Sequence, residues 1–289
     1  PVPEVHLLSN GRYHVMITAA GSGASRWQDL ALTRWQEDAT RDHWGAFLYV
    51  RDLDAGTFWS ATPQPTGCKF DRYEAQFSQG VAEFRATREE IQVHMQVAVS
   101  SEEDVELRRL IVSNLSNRER HIEITSYAEV AMLNGLNASE QPAFNGLFVE
   151  VEALPAKAAV VCTRRTRSPQ ENWPLFFHGM IVHHQPISEG VTCQTDRSSF
   201  LGRGRTTANP AALAGDSPDA FGPTLDPVMV VRRTIRLEPG QSITIDAVWG
   251  VAPDRPAALA LLDRYCDPHL VTRVFELARM HSQILLHEL

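Results

Sequence analysis

Four of the six tryptophans, Trp27, Trp35, Trp44 and Trp59, are interleaved with arginines and acids in one segment near the start of the chain. The runs are Ser25-Arg-Trp-Gln-Asp-Leu30, Thr33-Arg-Trp35, Asp42-His-Trp-Gly45, Tyr49-Val-Arg-Asp52 and Phe58-Trp-Ser60. Indole and phenol rings cover the C–H faces of a pyranose, and Arg and Asp meet its hydroxyls with directional hydrogen bonds, so the mixture suits sugar handling. Taken singly, each Trp is more simply a large side chain filling a core at a sheet edge. The clustering is what carries the sugar reading.

Other arrangements offer less. No G-x-S-x-G elbow is present, and Gly21-Ser-Gly-Ala-Ser25 has its glycines misplaced for an elbow, a dinucleotide fingerprint or a P-loop. It reads as a turn beside a binding surface. Gly202-Arg-Gly-Arg-Thr206 could hold an anion through backbone N–H groups and the guanidiniums of Arg203 and Arg205, or be an ordinary strand-end turn. His183 and His184 are adjacent, so on a strand they face opposite ways and cannot easily share a metal ion. Glu150 and Glu152 would lie ~7 Å apart on one strand face, a separation that suits an inverting carboxylate pair. No aromatic neighbours accompany them, and a solvated face is the better reading. Glu129, after Tyr127 in an apolar stretch, is expected to face inward and be hydrogen bonded. No residue emerges as catalytic, and none as a metal ligand.

The elements that must position these groups are mostly strands. Ile91, Val93, Met95, Val97 and Val99 alternate with Gln92, His94 and Gln96, the pattern of a half-buried strand. Similar runs occur at 105–112, around 122–130, at 228–237 and at 243–249. The last two flank Glu238-Pro-Gly-Gln241, a strong hairpin turn. Further strands are expected at 47–52, 73–77, 81–86, 148–154, 158–163 and 176–182. Thr206–Pro227, rich in Ala, Gly, Pro, Asp and Ser, reads as a long irregular loop. Beyond it the period changes: 255–265 and 268–289 carry apolar residues at helical spacing, with Asp254 and Asp267 as N-caps and Pro256 and Pro268 in the tolerated first turn. More than a dozen short antiparallel strands imply a mainly β protein, a large sandwich over 1–252 followed by helices over 253–289.

Composition bounds the rest. The 289 residues are 43% hydrophobic, enough for a sizeable core, and the formal net charge of −8 argues against nucleic acid as a partner. Lysine occurs only at Lys69 and Lys157, so Arg supplies nearly all the positive charge. Cys68, Cys162, Cys193 and Cys266 are scattered, and buried thiols are expected rather than a zinc site or a disulfide framework. No apolar run approaches the ~20 residues that span a bilayer, so direct membrane insertion is not expected. The chain opens Pro-Val-Pro without Met and closes within a helical pattern, which reads as two cuts through a longer polypeptide.

Several longer motifs together resemble one family. Leu8-Ser-Asn-Gly-Arg-Tyr13, the run from Ser25 to Trp35, Thr40-Arg-Asp-His-Trp-Gly45, Phe58-Trp-Ser60, Ser126-Tyr-Ala-Glu-Val130, Phe200-Leu-Gly-Arg-Gly-Arg205, Asp226-Pro and the tail from Phe275 to Gln283 are similar to the phosphorylase-like module of bacterial cyclic β-1,2-glucan synthases. The wider family is that of the inverting sugar phosphorylases, cellobiose and chitobiose phosphorylases among them. One departure is Ala39, where many relatives carry Pro.

The resemblance implies a galactose-mutarotase-like β-supersandwich with linker helices that lead to an (α/α)6 barrel lying outside the chain. It implies that the barrel carries the general acid and most of the phosphate site, so no catalytic residue is carried over and the fragment is expected to be inactive alone. No cofactor is implied; inorganic phosphate is a co-substrate of the parent enzyme. The implied partners are a β-glucan or oligosaccharide, the barrel of the same polypeptide and a second copy in a homodimer, at the cytoplasmic face of an inner-membrane protein. The loop from Gly23 to Trp44 is then the candidate contact surface. Trp27 and Trp35 would stack on sugar, Arg34 and Arg41 would bind hydroxyls or offset acids, and Asp38 and Asp42 would fix those arginines. Burial of the same residues against the barrel is the even alternative. Two rivals remain: a free-standing carbohydrate-binding module, and an aldose epimerase-like enzyme that pairs His94 or His178 with Glu129.

Overall fold

A computed structural model of the chain describes residues 4–38, 42–134, 146–166, 168, 171–183, 190–215, 221–222 and 224–287. Among these, seventeen strands form two antiparallel sheets packed face to face, with short helices on the outside. The strands are β1 Val5–Ser9, β2 Tyr13–Thr18, β3 Gly23–Trp27, β4 Leu30–Thr33, β5 Ala46–Asp52, β6 Thr57–Ser60, β7 Arg72–Ser78, β8 Val81–Arg88, β9 Ile91–Val99, β10 Val105–Asn114, β11 Arg120–Asn134, β12 Val149–Leu154, β13 Ala159–Arg164, β14 Leu175–Val182, β15 Val191–Asp196, β16 Pro227–Leu237 and β17 Ser242–Ala252. The helices are α1 Arg197–Leu201, α2 Arg255–Arg264 and α3 Pro268–His287.

One sheet runs β1-β2-β3-β4-β11-β16-β15, with β5 also on β11 and β6 on β5; the other runs β12-β13-β14-β17-β10-β9-β8-β7. Alternation decides which faces meet. Val93, Met95 and Val97 of β9, with Leu110 and Val112 of β10, pack against Ile122, Ile124 and Val130 of β11 in the space between the sheets. The outer face of the eight-stranded sheet is covered by α2 and α3, which bury Leu262, Val271, Val274, Phe275 and Ala278 against Val105, Leu107, Phe177 and Val248. On the outer face of the nine-stranded sheet, Phe47, Tyr49 and Tyr127 are covered by Phe200, Leu201, Ala212 and Leu213. Residues 206–215 therefore bury side chains over the sheet, and a 3-10 turn, Ala211–Leu213, holds two of them. The α2 N-cap forms as expected: the Asp254 carboxylate accepts from the Ala257 N–H at 2.8 Å.

Strand β11 organises the nine-stranded sheet. Its first part pairs with β5, from Ile122 opposite Asp52 to Ala128 opposite Ala46. Its last part pairs with β4 along the same edge, from Val130 opposite Thr33 to Asn134 opposite Leu30. A bulge between Val130 and Leu133, where Met132 takes φ 48°, shifts the register within the β4 ladder. β4 ends and β5 begins almost side by side: Thr33 lies opposite Val130 and Ala46 opposite Ala128, so the chain leaves the sheet after Thr33 and re-enters it at Ala46 close to the same place. Loops whose ends lie this close often carry function.

This corrects the expected loop from Gly23 to Trp44. Gly23–Trp27 and Leu30–Thr33 are strands, and only the later part departs from the sheet. The small residues Gly23, Ala24 and Ser25 and the four-residue β4 gave no usable period-two signal. Gly23 is there because a side chain does not fit: a Cβ would lie 1.9 Å from the Met16 carbonyl oxygen. Cys162 and Cys193 are buried and Cys68 and Cys266 half-buried, all as thiols. Among the described residues no helix is long and apolar enough to cross a membrane.

Candidate functional site

The β3–β4 hairpin separates the candidate residues instead of gathering them. Trp27 sits beside its turn, while Arg34 and Trp35 follow its open end. Trp27 lines a cleft of about 490 Å³ with Gln28, Asp29, Leu30, Glu171, Asn172, Trp173 and Pro174. Its indole N–H donates to the Asp104 carboxylate at 2.6 Å, and Arg12 holds the other oxygen of Asp104 at 2.8 Å.

Arg34 belongs to a balanced cluster over the outer face of the nine-stranded sheet. Its guanidinium lies 3.3 Å from Glu129 and 2.5 Å from Asp226. Arg197, at the start of α1, lies 2.8 Å from Glu129 and 3.3 Å from Asp226. The Tyr127 hydroxyl donates to Glu129 at 2.7 Å. Burial first, and then the Glu129 charge, push the Tyr127 phenol well above its usual range. Two guanidiniums against two carboxylates leave Arg34 locally neutralised, and its partners are Glu129 and Asp226 rather than the expected Asp38 or Asp42.

Asp42 does a different job: it accepts from the Thr18 hydroxyl at 3.0 Å, and its carbonyl accepts from Ser22 at 2.6 Å. With Gly23 N–H on the Trp44 carbonyl at 2.8 Å, these bonds tie the returning arm of the loop to the β2–β3 connection. Trp35, 45% exposed, and Asp38, also exposed, lie on the outgoing arm. Arg41 and Ala39 lie outside the described residues. Arg203 and Arg205 are exposed on the turn after α1, where Gly202 and Gly204 have φ 78° and 74°, values suited to residues without a Cβ.

The polar residues inside the sandwich are structural. Glu106 and Arg108 of β10 point between the sheets and pair at 2.6 Å. Ser25 donates to Glu106 at 2.6 Å, Arg108 donates to the Ala46 carbonyl, and its guanidinium lies 5.3 Å from the centre of the Trp249 ring. His178 stacks on the same Trp249 ring, 4.1 Å between centroids, with one nitrogen 2.6 Å from the Ser126 hydroxyl and the other 2.9 Å from the Val248 carbonyl.

This geometry overturns the epimerase-like pairing. His178 and Ser126 lie between the sheets, whereas Glu129, three residues along β11, faces the opposite side of its sheet. His94 sits on the far face of the eight-stranded sheet, 3.2 Å from Glu83. The three groups reach three different environments because strand side chains alternate. Glu129 is buried by α1 and its flanking segments, not by facing the sandwich interior.

Burial holds the His178 pKa down, to about 3. The unfolded chain therefore binds a proton near pH ~6.5 that the folded chain refuses. The contribution of His178 to stability is intact above that pH and falls as the pH drops toward 3, by up to ~1.4 kcal/mol per pH unit. Denaturant unfolding from pH 7 to pH 4 should show His178→Gln losing less stability with acidification than the parent. Parallel pH curves would contradict this.

Glu150 and Glu152 are not a catalytic pair. Glu150 bonds Arg165, and Glu152 forms a two-bond pair with Arg255 at the head of α2. His183 bonds Asp246 at 2.6 Å; Asp246 in turn takes two bonds from Arg109, each within 2.9 Å. Burial works to raise the Asp246 pKa, but these donors outweigh it and the net direction is down. His184 lies outside the described residues. Trp173 and Glu171, which line the same cleft as Trp27, were missed from the sequence; the only hint was an aromatic set between polar residues and a proline, Glu171-Asn-Trp-Pro174.

Comparison with known proteins gives the wider setting. Residues 1–268 match the family model described as glycosyl hydrolase 94, supersandwich domain. The chain is 33% identical over 284 residues to the cyclic beta-(1,2)-glucan synthase NdvB of Rhizobium meliloti, covering 97% of this chain and 10% of that protein. It is 25% identical over 223 residues to the solabiose phosphorylase of Paenibacillus borealis, covering 77% of this chain and 28% of that protein. A candidate kojibiose phosphorylase from the human microbiome has a similar fold over 96% of this chain and 35% of its own, with a TM-score of 0.54 at 8% identity.

Proposed function

The chain belongs to the glycosyl hydrolase 94 supersandwich family, and from that membership we propose that it is a carbohydrate-associated, non-catalytic scaffold in a glucan-processing enzyme. In this reading the general acid and most of the phosphate site sit on an (α/α)6 barrel in the same polypeptide. The sandwich supports that barrel and a second copy of the chain, and α2 and α3 lead toward the barrel. Loop 34–45 is the surface offered to the sugar site or to the barrel. The relatives' names support a β-1,2-glucan or a phosphorolysed disaccharide as the substrate class. A cytoplasmic setting and phosphate as co-substrate belong to the same proposal.

One observation carries the reading. Among the described residues, the carboxylates that the sheets bury are each held by a guanidinium: Asp52 by Arg120, Glu106 by Arg108, Glu123 by Arg51 and Arg232, Glu129 by Arg34 and Arg197, and Asp246 by Arg109. A general acid must carry a proton to the leaving oxygen near neutral pH. A carboxylate whose oxygens are taken up by a guanidinium inside the fold is not free to reach a glycosidic oxygen.

The 289-residue chain, incubated with β-1,2-glucan and inorganic phosphate, should therefore release no glucose 1-phosphate above background. Robust release by the chain alone would overturn the proposal. In the complete enzyme, Trp35→Ala separates the two roles of loop 34–45: a raised KM with intact folding marks contact with sugar, and lost stability with unchanged KM marks contact with the barrel.

A further inference from the structure

We propose that the cleft between the β3–β4 turn and residues 171–174 is a binding subsite for oligosaccharide, separate from loop 34–45. The inference rests on the carbohydrate-associated reading above. The cleft volume, about 490 Å³, falls among those of small-ligand sites.

Two indoles line the cleft, and both are fixed in place. Trp27 is held through its N–H by Asp104. Trp173 donates to Glu171 at 3.2 Å, and the Arg164 guanidinium lies 5.1 Å from its ring centre. Rings already immobilised lose little further freedom when a pyranose stacks on them. Leu30 and Pro174 add apolar surface.

The remaining lining selects the ligand class. Gln28 and Asn172 offer amide donors and acceptors, and Asp29 and Glu171 offer carboxylate acceptors, a set that matches sugar hydroxyls. Among the described residues the lining holds no Lys, Arg or His. A glucan segment would be held here while phosphate chemistry proceeds elsewhere. A basic peptide, whose cations could also sit over indoles beside carboxylates, is the competing occupant.

Calorimetric titration of the 289-residue chain decides among these. The titrants are a linear β-1,2-gluco-oligosaccharide, glucose 1-phosphate, inorganic phosphate and oligolysine. The oligosaccharide alone should bind. Trp173→Ala should weaken it about tenfold, a factor that corresponds to ~1.4 kcal/mol, with Trp173→Phe retaining most of the affinity. The exposed Asp29→Asn should weaken it about fivefold, the scale of one hydrogen bond, and gives the readout if Trp173→Ala fails to fold.

Absence of oligosaccharide binding at millimolar ligand, unchanged affinity in Asp29→Asn and Trp173→Ala, tighter binding of glucose 1-phosphate, or binding of oligolysine in its place would each overturn the subsite. None of these outcomes touches catalytic silence. Glucose 1-phosphate release by the chain would overturn the scaffold reading and leave the subsite standing.

Discussion

Glu106→Ala is expected to lower the unfolding free energy by roughly 3–5 kcal/mol, the scale for removing one partner of a buried ion pair. Glu106 and Arg108 are 1% and 4% exposed, so the guanidinium cannot turn to water when its partner goes. The Ala46 carbonyl would still accept from it, but one carbonyl does not compensate a full charge. Ser25 would also lose its acceptor. Urea unfolding should show the midpoint fall with little change in slope. Glu106→Leu combined with Arg108→Met should recover much of the loss, because no uncompensated charge then remains inside. If Glu106→Ala costs less than about 1 kcal/mol, the pair is hydrated in solution and the closed interior drawn here is wrong.

The second large effect is expected at Phe275→Ala. Phe275 is 3% exposed beneath α3, with the Arg109 guanidinium 5.6 Å from its ring centre. Truncating a buried Phe costs about 3–5 kcal/mol. Here the loss falls on the contact that fixes α3 to the sheet, since Val271, Val274 and Ala278 bury into the same patch. Hydrogen exchange should accelerate in 268–280 before it does in β10 or β17. Uniform acceleration in all three would mean that helices and sandwich unfold as one unit. Sequence marked these helices well, because their apolar spacing and Asp254 cap are local properties.

The same locality explains what was legible elsewhere. Strand β9 could be read from Ile91 to Val99 because one of its faces is buried and the other is polar. Strands β3 and β4 could not: they are short, built partly from small residues, and exist because β2 and β11 supply their hydrogen bonds. The aromatic cluster that includes Trp27 was visible, yet Trp173, which lines the same cleft, lies far along the chain and meets it only through the fold. Arg34 was visible as a cation, but its partners Glu129 and Asp226 come from β11 and the approach to β16, which no spacing in the sequence relates. Glu129 was expected to be buried and hydrogen bonded, and it is, though on the other side of its sheet. Pairing at long range is where sequence patterns stop and topology begins.

The arrangement of β4 and β5 along one edge of β11 has an evolutionary consequence. Each strand takes its alignment from β11 directly: Val130 sets Thr33 and Ala128 sets Ala46, and the segment between them sets neither. Residues added to or deleted from 34–45 therefore leave both alignments undisturbed. Descendants of a common ancestor can rewrite that segment in length and composition while the surrounding framework stays constant.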